Sequence, residues 1–356
     1  MRDSRGPCVF LTHTPSDLAA FFPKAPLDRL REVAVVRCNP HRHHLAPRAL
    51  DEHAGDVHYL ITEWNTGADD VYFRKNDSLV AVVRVGVEIL NVDLGAATEN
   101  GVLVVNLPGI HQAPVIELTL AFILMLTRRI PLFEGQLRSG DIALSYNVAL
   151  ARGMPSIAPG YGLEDATVGL VGLGHIGAGV ARLLDVMGAQ VLAFDPYSDV
   201  APDEVTMVGL DELLERSHVV SLHAKLTPES RHMIGRRELS LMRPGAYLVN
   251  TARGELVDSD ALADALDAGG IAGAALDVFE GEPELAGQRL LAAKNCIVTP
   301  HMSGHTPTTF LRLADAAVLA VERMIGGEVP TGVVNPEVLQ QPNCRVLKRE
   351  RGRERP

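Results

Sequence analysis

Residues able to do acid–base or anion-binding chemistry fall just after short apolar runs in this chain. His223 follows VVSL, Asn250 to Arg253 follow AYLV, Asp277 follows GAAL and His301 follows CIVT. If those runs are parallel strands, their carboxyl ends share one sheet edge, the edge at which open α/β sheets bind ligands. Hydride transfer at a carbonyl asks a protein for a proton donor, a group that tunes that donor, and a fixed cation for a carboxylate or carbonyl oxygen. His301 is the natural acid and base because an imidazole titrates near neutral pH, and a neighbouring carboxylate such as Glu282 would favour its charged form and orient the ring. Arg253 offers a permanent planar fork matched to a carboxylate. Singly, a His after a strand or an Arg after a Thr-Ala turn is more often structural. Four such groups along one edge, beside a phosphate loop, point to a site.

The phosphate loop is Gly172-Leu173-Gly174-His175-Ile176-Gly177, between the strand-like TVGLV and the helical GAGVARLLDVM. The first glycine suits a tight turn, the second lets backbone approach a pyrophosphate, and the third lets helix and strand pack closely. The following helix N-terminus adds N–H groups and a positive dipole end. The next strand, QVLAF, ends at Asp195, eighteen residues after Gly177, where a carboxylate accepts hydrogen bonds from ribose hydroxyls. A carboxylate there repels a 2′-phosphate, and Pro196-Tyr197-Ser198 brings no cation, so NAD(H) is expected rather than NADP(H). Lys225 is the one nearby cation that weighs the other way.

The elements that must position these groups follow from the pattern of the chain. Its 356 residues suit about two domains, and 47% apolar with 22% charged residues exclude bulk disorder and fibrous repeats. A net charge of -11 opposes a large phosphate-neutralising surface, so small-molecule chemistry is expected and nucleic-acid binding is not. β-Branched runs alternating with helical patterns predict parallel sheets covered by helices. The candidate strands are Val9 to Thr12, Val33 to Arg37, Tyr59 to Thr62, Leu79 to Val85 and Val102 to Asn106, then Thr167 to Val171, Gln190 to Phe194, Val219 to Leu222, Ala246 to Val249, Gly273 to Leu276 and Cys296 to Val298. Helices are expected over Ala113 to Arg129 and Leu311 to Met324, an irregular arm over Ser139 to Gly162, and a solvated basic tail over Arg345 to Pro356. The apolar stretch Val115 to Leu126 contains Glu117 and is too short to span a bilayer, so no membrane association is expected. The start has no secretory pattern, and Cys8, Cys38, Cys296 and Cys344 lie far apart without a CxxC pair; a cytoplasmic protein is expected, with neither disulfide framework nor zinc site.

Four runs in order, VGLVGLGHIG, LVNTARGELVD, AALDVFEGEP and IVTPH, resemble the D-isomer-specific 2-hydroxyacid dehydrogenases over roughly Leu79 to Thr306. The resemblance implies an α/β fold of two doubly wound parallel-sheet (Rossmann/flavodoxin-like) domains with an active-site cleft between them. It implies a discontinuous substrate-binding domain over 1–107 and 307–340 and an NAD-binding Rossmann domain over 108–306, leaving 341–356 as the basic tail. It further implies that Arg253 binds the substrate carboxylate and carbonyl, that His301 is the acid and base, and that Glu282 pairs with it. Asp277 would hold the nicotinamide carboxamide, Thr251 and Ala252 would lie against the cofactor with His223 nearby, and the His175-Ile176 backbone would meet the pyrophosphate. Substrates are then a small 2-oxo acid and its D-2-hydroxy acid, and the helix near Val115 to Arg129 with the arm after it would make a homodimer through the NAD-binding domain. Ordinary burial within one subunit explains that helix equally well.

Departures from the family pattern concern the substrate. The loop that usually carries glycines reads Arg84-Val85-Gly86-Val87-Glu88-Ile89-Leu90-Asn91-Val92-Asp93, with Glu88 where Gly is common and Leu90 where Asp is common. Backbone of Val85, Gly86 and Val87 would face the substrate carboxylate; Glu88 and Leu90 either line the pocket or turn to solvent and core. Thr62-Glu63-Trp64-Asn65 holds the only tryptophan and no arginine, which counts against a phosphorylated acid, and Trp64 either walls the pocket or is ordinary packing. Ala224-Lys225 replaces an apolar residue and Pro near the adenine, and His305 is unusual. The cluster His41 to His44 reads as surface rather than a metal site. An NAD(H)-sensing co-regulator on the same fold, or a dehydrogenase of phosphite or formate, remain the competing readings.

Overall fold

A computed structural model describes residues 6–89, 91–140, 160–198, 202–283, 288–293 and 295–346. The chain divides into two units, Met1–His111 with His305–Pro356, and Gln112–Gly304. Leu90, most of the expected arm and the end of the basic tail lie outside the described residues.

The first unit carries strands β1 (Cys8–Leu11), β2 (Val35–Cys38), β3 (Tyr59–Thr62), β4 (Ala81–Arg84) and β5 (Leu103–Val105), in the order β2-β1-β3-β4-β5 and all parallel. This is the flavodoxin-like order, and its direction of winding reverses between β1 and β3. Strand residues alternate between two cores, as the period of two demands. Val9, Leu11, Tyr59, Ile61 and Val83 face one side, and Phe10, Leu60, Val82 and Val104 face the other. The first side is closed by Pro307–Ile325, a helix whose Thr306 side chain accepts from Thr309 N and whose Leu313, Ala317, Val318 and Val321 stripe is buried. Each such fully buried Leu or Val contributes about 1.5–3 kcal/mol relative to exposure, so the return of the chain after residue 304 completes this core.

The second unit carries β6 (Thr167–Val171), β7 (Gln190–Phe194), β8 (Val205–Met207), β9 (Val219–Leu222), β10 (Tyr247–Asn250), β11 (Gly273–Leu276) and β12 (Cys296–Val298). Their order, β12-β11-β10-β9-β6-β7-β8, is the doubly wound dinucleotide-fold order extended by one strand, with the reversal between β6 and β9. The helix Gln112–Thr127 packs against His175–Val186, where Gly179 permits the approach: a Cβ there would lie 2.3 Å from Ile116 Cδ1.

One strand escapes the sequence pattern, and the expected tail needs correction. The edge strand β8 had no apolar signal to betray it, because Thr206 and Met207 are exposed and only Val205 faces the core. The basic tail does not begin at Arg345. Cys344 and Val346 are buried, and the Arg345 guanidinium between them donates to Asn76 O at 2.6 Å and Leu79 O at 3.0 Å, so carbonyl acceptors pull the start of the charge run onto the first unit. Among the described residues no helix is long and apolar enough to cross a membrane.

Candidate active site

Strand register in the second unit sets Phe194, Val171, Leu222, Asn250, Leu276 and Val298 in one row, so the residues that follow them share one edge. The three glycines of the loop after β6 differ in what they do. Gly172 has φ 97°, and a Cβ on it would press 2.7 Å from Ala224 N and His223 C; on Gly177 it would meet Gly172 O at 2.2 Å. Both positions therefore exclude side chains for reasons of turn and packing. A Cβ on Gly174 would meet nothing within 4 Å, so open space lies before the N-terminus of the twelve-residue helix His175–Val186, where His175 is exposed and Ile176 half-buried. That open, N–H-lined space fits the diphosphate of a dinucleotide. At the end of β7, Asp195 closes the loop: Oδ2 accepts from Leu173 N at 2.8 Å and Oδ1 from Tyr197 N at 2.9 Å.

Across the reversal, His223 Nε2 lies 3.0 Å from Ser221 Oγ, and burial pushes this imidazole down to about 4, so it is neutral near pH 7. After β10, Asn250 holds the turn that presents Arg253, donating to Arg253 O and accepting from Ala252 N. Arg253 is half-buried, and its Nη1 donates to Ala252 O at 2.6 Å. Thr251 is buried, and its hydroxyl lies 2.8 Å from that of Thr119 on the helix Gln112–Thr127.

His301 Nδ1 lies 2.6 Å from Glu282 Oε2, while Glu282 Oε1 accepts from Phe279 N at 2.5 Å. The carboxylate is thus fixed on one side by backbone and on the other by the imidazole. His301 has φ 52°, a left-handed conformation that a non-glycine residue keeps only where its surroundings hold it. Its N–H donates to Asp277 O and Thr299 O. Asp277, assigned by resemblance to the cofactor's carboxamide, is fully buried, and its carboxylate takes Thr299 Oγ1 at 2.5 Å, Met302 N at 2.8 Å and Ser303 N at 2.8 Å. It is the clamp that sets the His301 segment on the sheet edge.

Trp64, Val85, Gly86 and Val87 lie in the first unit, after β3 and β4. Gly86 has φ 138°, and its carbonyl accepts from Leu107 N; Val85 N bonds to Thr62 O, and Val87 O accepts from Asn106 Nδ2. Val87 and Trp64 are exposed, at 42% and 56%. Glu88 is half-buried beside Arg84. His305 belongs to this unit too, its ring tilted against those of Phe21 and Phe310 at interplanar angles of 46° and 45°. His41 Nε2 sits 3.0 Å from His53 Nε2, and no cluster of three or more metal-ligating side chains occurs among the described residues.

Residues that sequence reasoning passed over are Thr119, Thr299 and Arg84. Each acts on a distant segment through one hydrogen-bonding group, and no local spacing marks such a partner. For Thr119 the cue is a hydroxyl within the largely apolar run Val115 to Leu126.

Comparison with known proteins places this architecture. Residues 120–303 match the model of the D-isomer specific 2-hydroxyacid dehydrogenase, NAD binding domain. The chain is 37% identical over 270 residues to a glyoxylate reductase of Thermofilum pendens, covering 74% of this chain and 77% of that one. It is 33% identical over 311 residues to a D-3-phosphoglycerate dehydrogenase of Methanocaldococcus jannaschii, covering 85% of this chain and 56% of that one. Among solved structures, the NAD-complexed D-isomer specific 2-hydroxyacid dehydrogenase of Lactobacillus delbrueckii ssp. bulgaricus is similar with a TM-score of 0.75 and 26% identity, over 92% of this chain and 99% of that chain. With a family model over more than half its length and relatives above 30% identity over most of it, the chain belongs to the D-isomer specific 2-hydroxyacid dehydrogenase family.

Proposed function

We propose that the protein reduces a small 2-oxo acid to the D-2-hydroxy acid, and runs the reverse oxidation, with His301 as acid and base and Arg253 as the substrate anchor. The observation that carries this is the 2.6 Å His301–Glu282 pair on the same sheet edge as the glycine loop and Arg253. Gly172, Gly174, Gly177 and Asp195 hold the dinucleotide, and NAD(H) when bound supplies or accepts the hydride. Arg253 binds the carboxylate and polarises the carbonyl as charge develops on its oxygen. Glu282 holds Nδ1, so the proton is exchanged at Nε2: protonated His301 gives it to the carbonyl oxygen in reduction, and neutral His301 takes it from the hydroxyl in oxidation. Glu282 stabilises the charged ring and fixes its orientation. Reduction therefore needs the protonated ring and oxidation the neutral one, so reduction is expected to fall as pH rises and oxidation to fall as pH drops.

Glyoxylate, pyruvate, hydroxypyruvate, phenylpyruvate and branched 2-oxo acids are the panel to assay, read as loss of NADH absorbance beside an Arg253→Ala control. Turnover that disappears in the control supports the reading; no turnover of any acid with NADH still bound overturns it. The loop Thr62–Asn65 carries no arginine, which favours an unphosphorylated acid. We read the assembly as a homodimer through the second unit, on the apolar helix Gln112–Thr127 and exposed Ile130, Leu132 and Leu137, with sedimentation as the check. A cytoplasmic location fits the free thiols of Cys8, Cys38, Cys296 and Cys344.

A further inference from the structure

At the carboxyl edge of the first unit one buried cation ties two loops together. Arg84, the last residue of β4, is 1% exposed, an unusual place for a guanidinium. Its Nε donates to Glu88 O at 3.0 Å, and its Nη1 donates to Val85 O at 3.2 Å and Thr62 O at 3.3 Å. The first two carbonyls belong to the loop after β4 and the third to the end of β3, so a single side chain fastens both. The guanidinium carbon also lies 5.2 Å from the centre of the Trp64 ring, within cation–π range. Trp64 is half exposed, so the ring covers the cation on one face and offers the other outward.

The rest of the geometry makes the two loops one body. Asn91 Nδ2 donates to Trp64 O, Ala68 N to Asn91 O, and Asp93 N to Ala68 O. The Glu63 carboxylate accepts from Asn65 N at 2.5 Å and Thr66 N at 2.7 Å, holding the turn that carries Trp64. His44 Nδ1 stands 3.4 Å from that carboxylate on the outer side. Burial lowers the Arg84 guanidinium to about 10, still charged near pH 7, while the fields of Glu63 and Glu88 work against the loss. A cation taken out of water and given three carbonyls and an aromatic face is an expensive way to fill space, and it earns its place by fixing the geometry of what it touches.

We propose that Arg84 is a positioning residue that sets selectivity among 2-oxo acid side chains, by holding Trp64 against its guanidinium and fixing the 85–88 loop in the same act. The inference rests on the reductase reading above and adds what discriminates its substrates. Arg84 reaches the substrate only through those two loops, so its loss changes KM and side-chain preference more than kcat.

The test exploits the fact that Trp64 is the only tryptophan of the chain, so its emission reports this stack alone. Wild type, Arg84→Met, Arg84→Lys, Trp64→Phe and Trp64→Ala are compared in the full-length protein, with thermal unfolding recorded for each. Trp64→Ala is expected to change the ratio of kcat/KM for phenylpyruvate over glyoxylate by about tenfold or more, the scale on which an apolar contact discriminates, and Trp64→Phe to restore most of it. Arg84→Met is expected to shift that ratio in the same direction, raise KM severalfold with kcat less affected, and shift the Trp64 emission; Arg84→Lys keeps the charge without the fork and falls between. If Arg84→Met does not fold, the emission and ratio of Arg84→Lys decide. Unchanged emission and an unchanged ratio in a folded Arg84 variant overturn the proposal while leaving the reductase reading intact. A wild type that reduces none of the acids overturns the reductase reading, and with it the selectivity role, whatever the emission shows.

Discussion

The two units have the same kind of sheet and use its reversal point in opposite ways. In the second unit, glycine lets the loops after β6 and β9 close on each other, since a Cβ on Gly172 would meet Ala224 N and His223 C and one on Gly177 would meet Gly172 O, and it leaves open space only at Gly174, where a Cβ would meet nothing within 4 Å. In the first, the space between β1 and β3 is packed with polar side chains. Thr12 Oγ1 accepts from Glu63 N, His13 is buried beside Phe22, and Arg84 lies beneath Trp64. Parallel topology creates a crevice in both cases, and residue type decides its use. Small residues leave room for a long flat cofactor, whereas charged and hydroxylated ones turn the edge into a rigid mount for loops.

The sharpest way to break that comparison is to ask where the chemistry resides. His301→Gln keeps a hydrogen-bonding group but cannot carry the proton, so kcat is expected to fall by about 10²–10⁴ with NADH affinity little changed. Single-turnover measurements with NADH-loaded enzyme check this. A loss smaller than tenfold, with chemistry rate-limiting, removes His301 from the proton-transfer role and with it the assignment of acid–base work to the second unit.

Glycine substitutions probe the same contrast from the backbone. Ala at Gly172 must both hold φ 97° and push backbone atoms 2.7 Å away, whereas Ala at Gly86 must hold φ 138° with nothing within 4 Å. Strain of this kind costs about 1–3 kcal/mol, and only Gly172→Ala adds a clash with backbone. Gly172→Ala is therefore expected to lose more stability and to weaken NADH binding about tenfold or more. Gly86→Ala should leave the NADH dissociation constant unchanged and raise the substrate KM. Calorimetry with NADH distinguishes the two, and equal effects on the dissociation constant would mean that the loops are not separately specialised.

Acid sharpens the comparison further, because each unit holds a neutral histidine at its reversal point. Burial lowers His13 to about 4, as it does His223, against an ordinary 6.5. The unfolded chain binds the proton first, so stability is fully present above the unfolded value and is lost as pH falls from 6.5 toward 4. For His13 the loss between about pH 7.5 and pH 5 is about 2 kcal/mol. In His13→Phe, which keeps the ring against Phe22, the change in urea-unfolding free energy over that interval should shrink by that amount. An identical pH dependence in the variant would show that His13 is not buried neutral.

Much of this was legible in the residues. Strands such as Thr167–Val171 and Gln190–Phe194 announce themselves by unbroken apolar runs, because a strand covered on both faces has no polar side. The glycine loop and Asp195 could be read because their geometry is local, a turn and the end of the next strand. Glu282 and His301 are joined in the sequence only through the family resemblance, since they lie nineteen positions apart and it is the fold that closes the gap to 2.6 Å. Asp277 shows the limit most clearly. Its position after β11 marked it as functional, yet nothing in the sequence says that its carboxylate is taken up by Thr299, Met302 and Ser303. Arg84 reads as one more residue of a strand end, because a buried cation is identified only by the carbonyls around it.

The mildest test concerns the Thr119–Thr251 contact, by which the helix Gln112–Thr127 steadies the turn before Arg253. Thr119 Oγ1 also bonds to Val115 O at 2.8 Å, so its hydroxyl is satisfied within its own helix as well as across to the turn after β10. Thr119→Val keeps the shape and removes both bonds, leaving the buried Thr251 hydroxyl without that partner; the expected cost is about 1 kcal/mol. Because the first unit has no part in this contact, Trp64 emission should be unchanged while kcat/KM falls severalfold and the Arg253→Ala effect is undiminished. A drop in stability without any change in kcat/KM would mean that the turn carrying Arg253 is set by Asn250 alone, whose bonds to Ala252 and Arg253 remain in place.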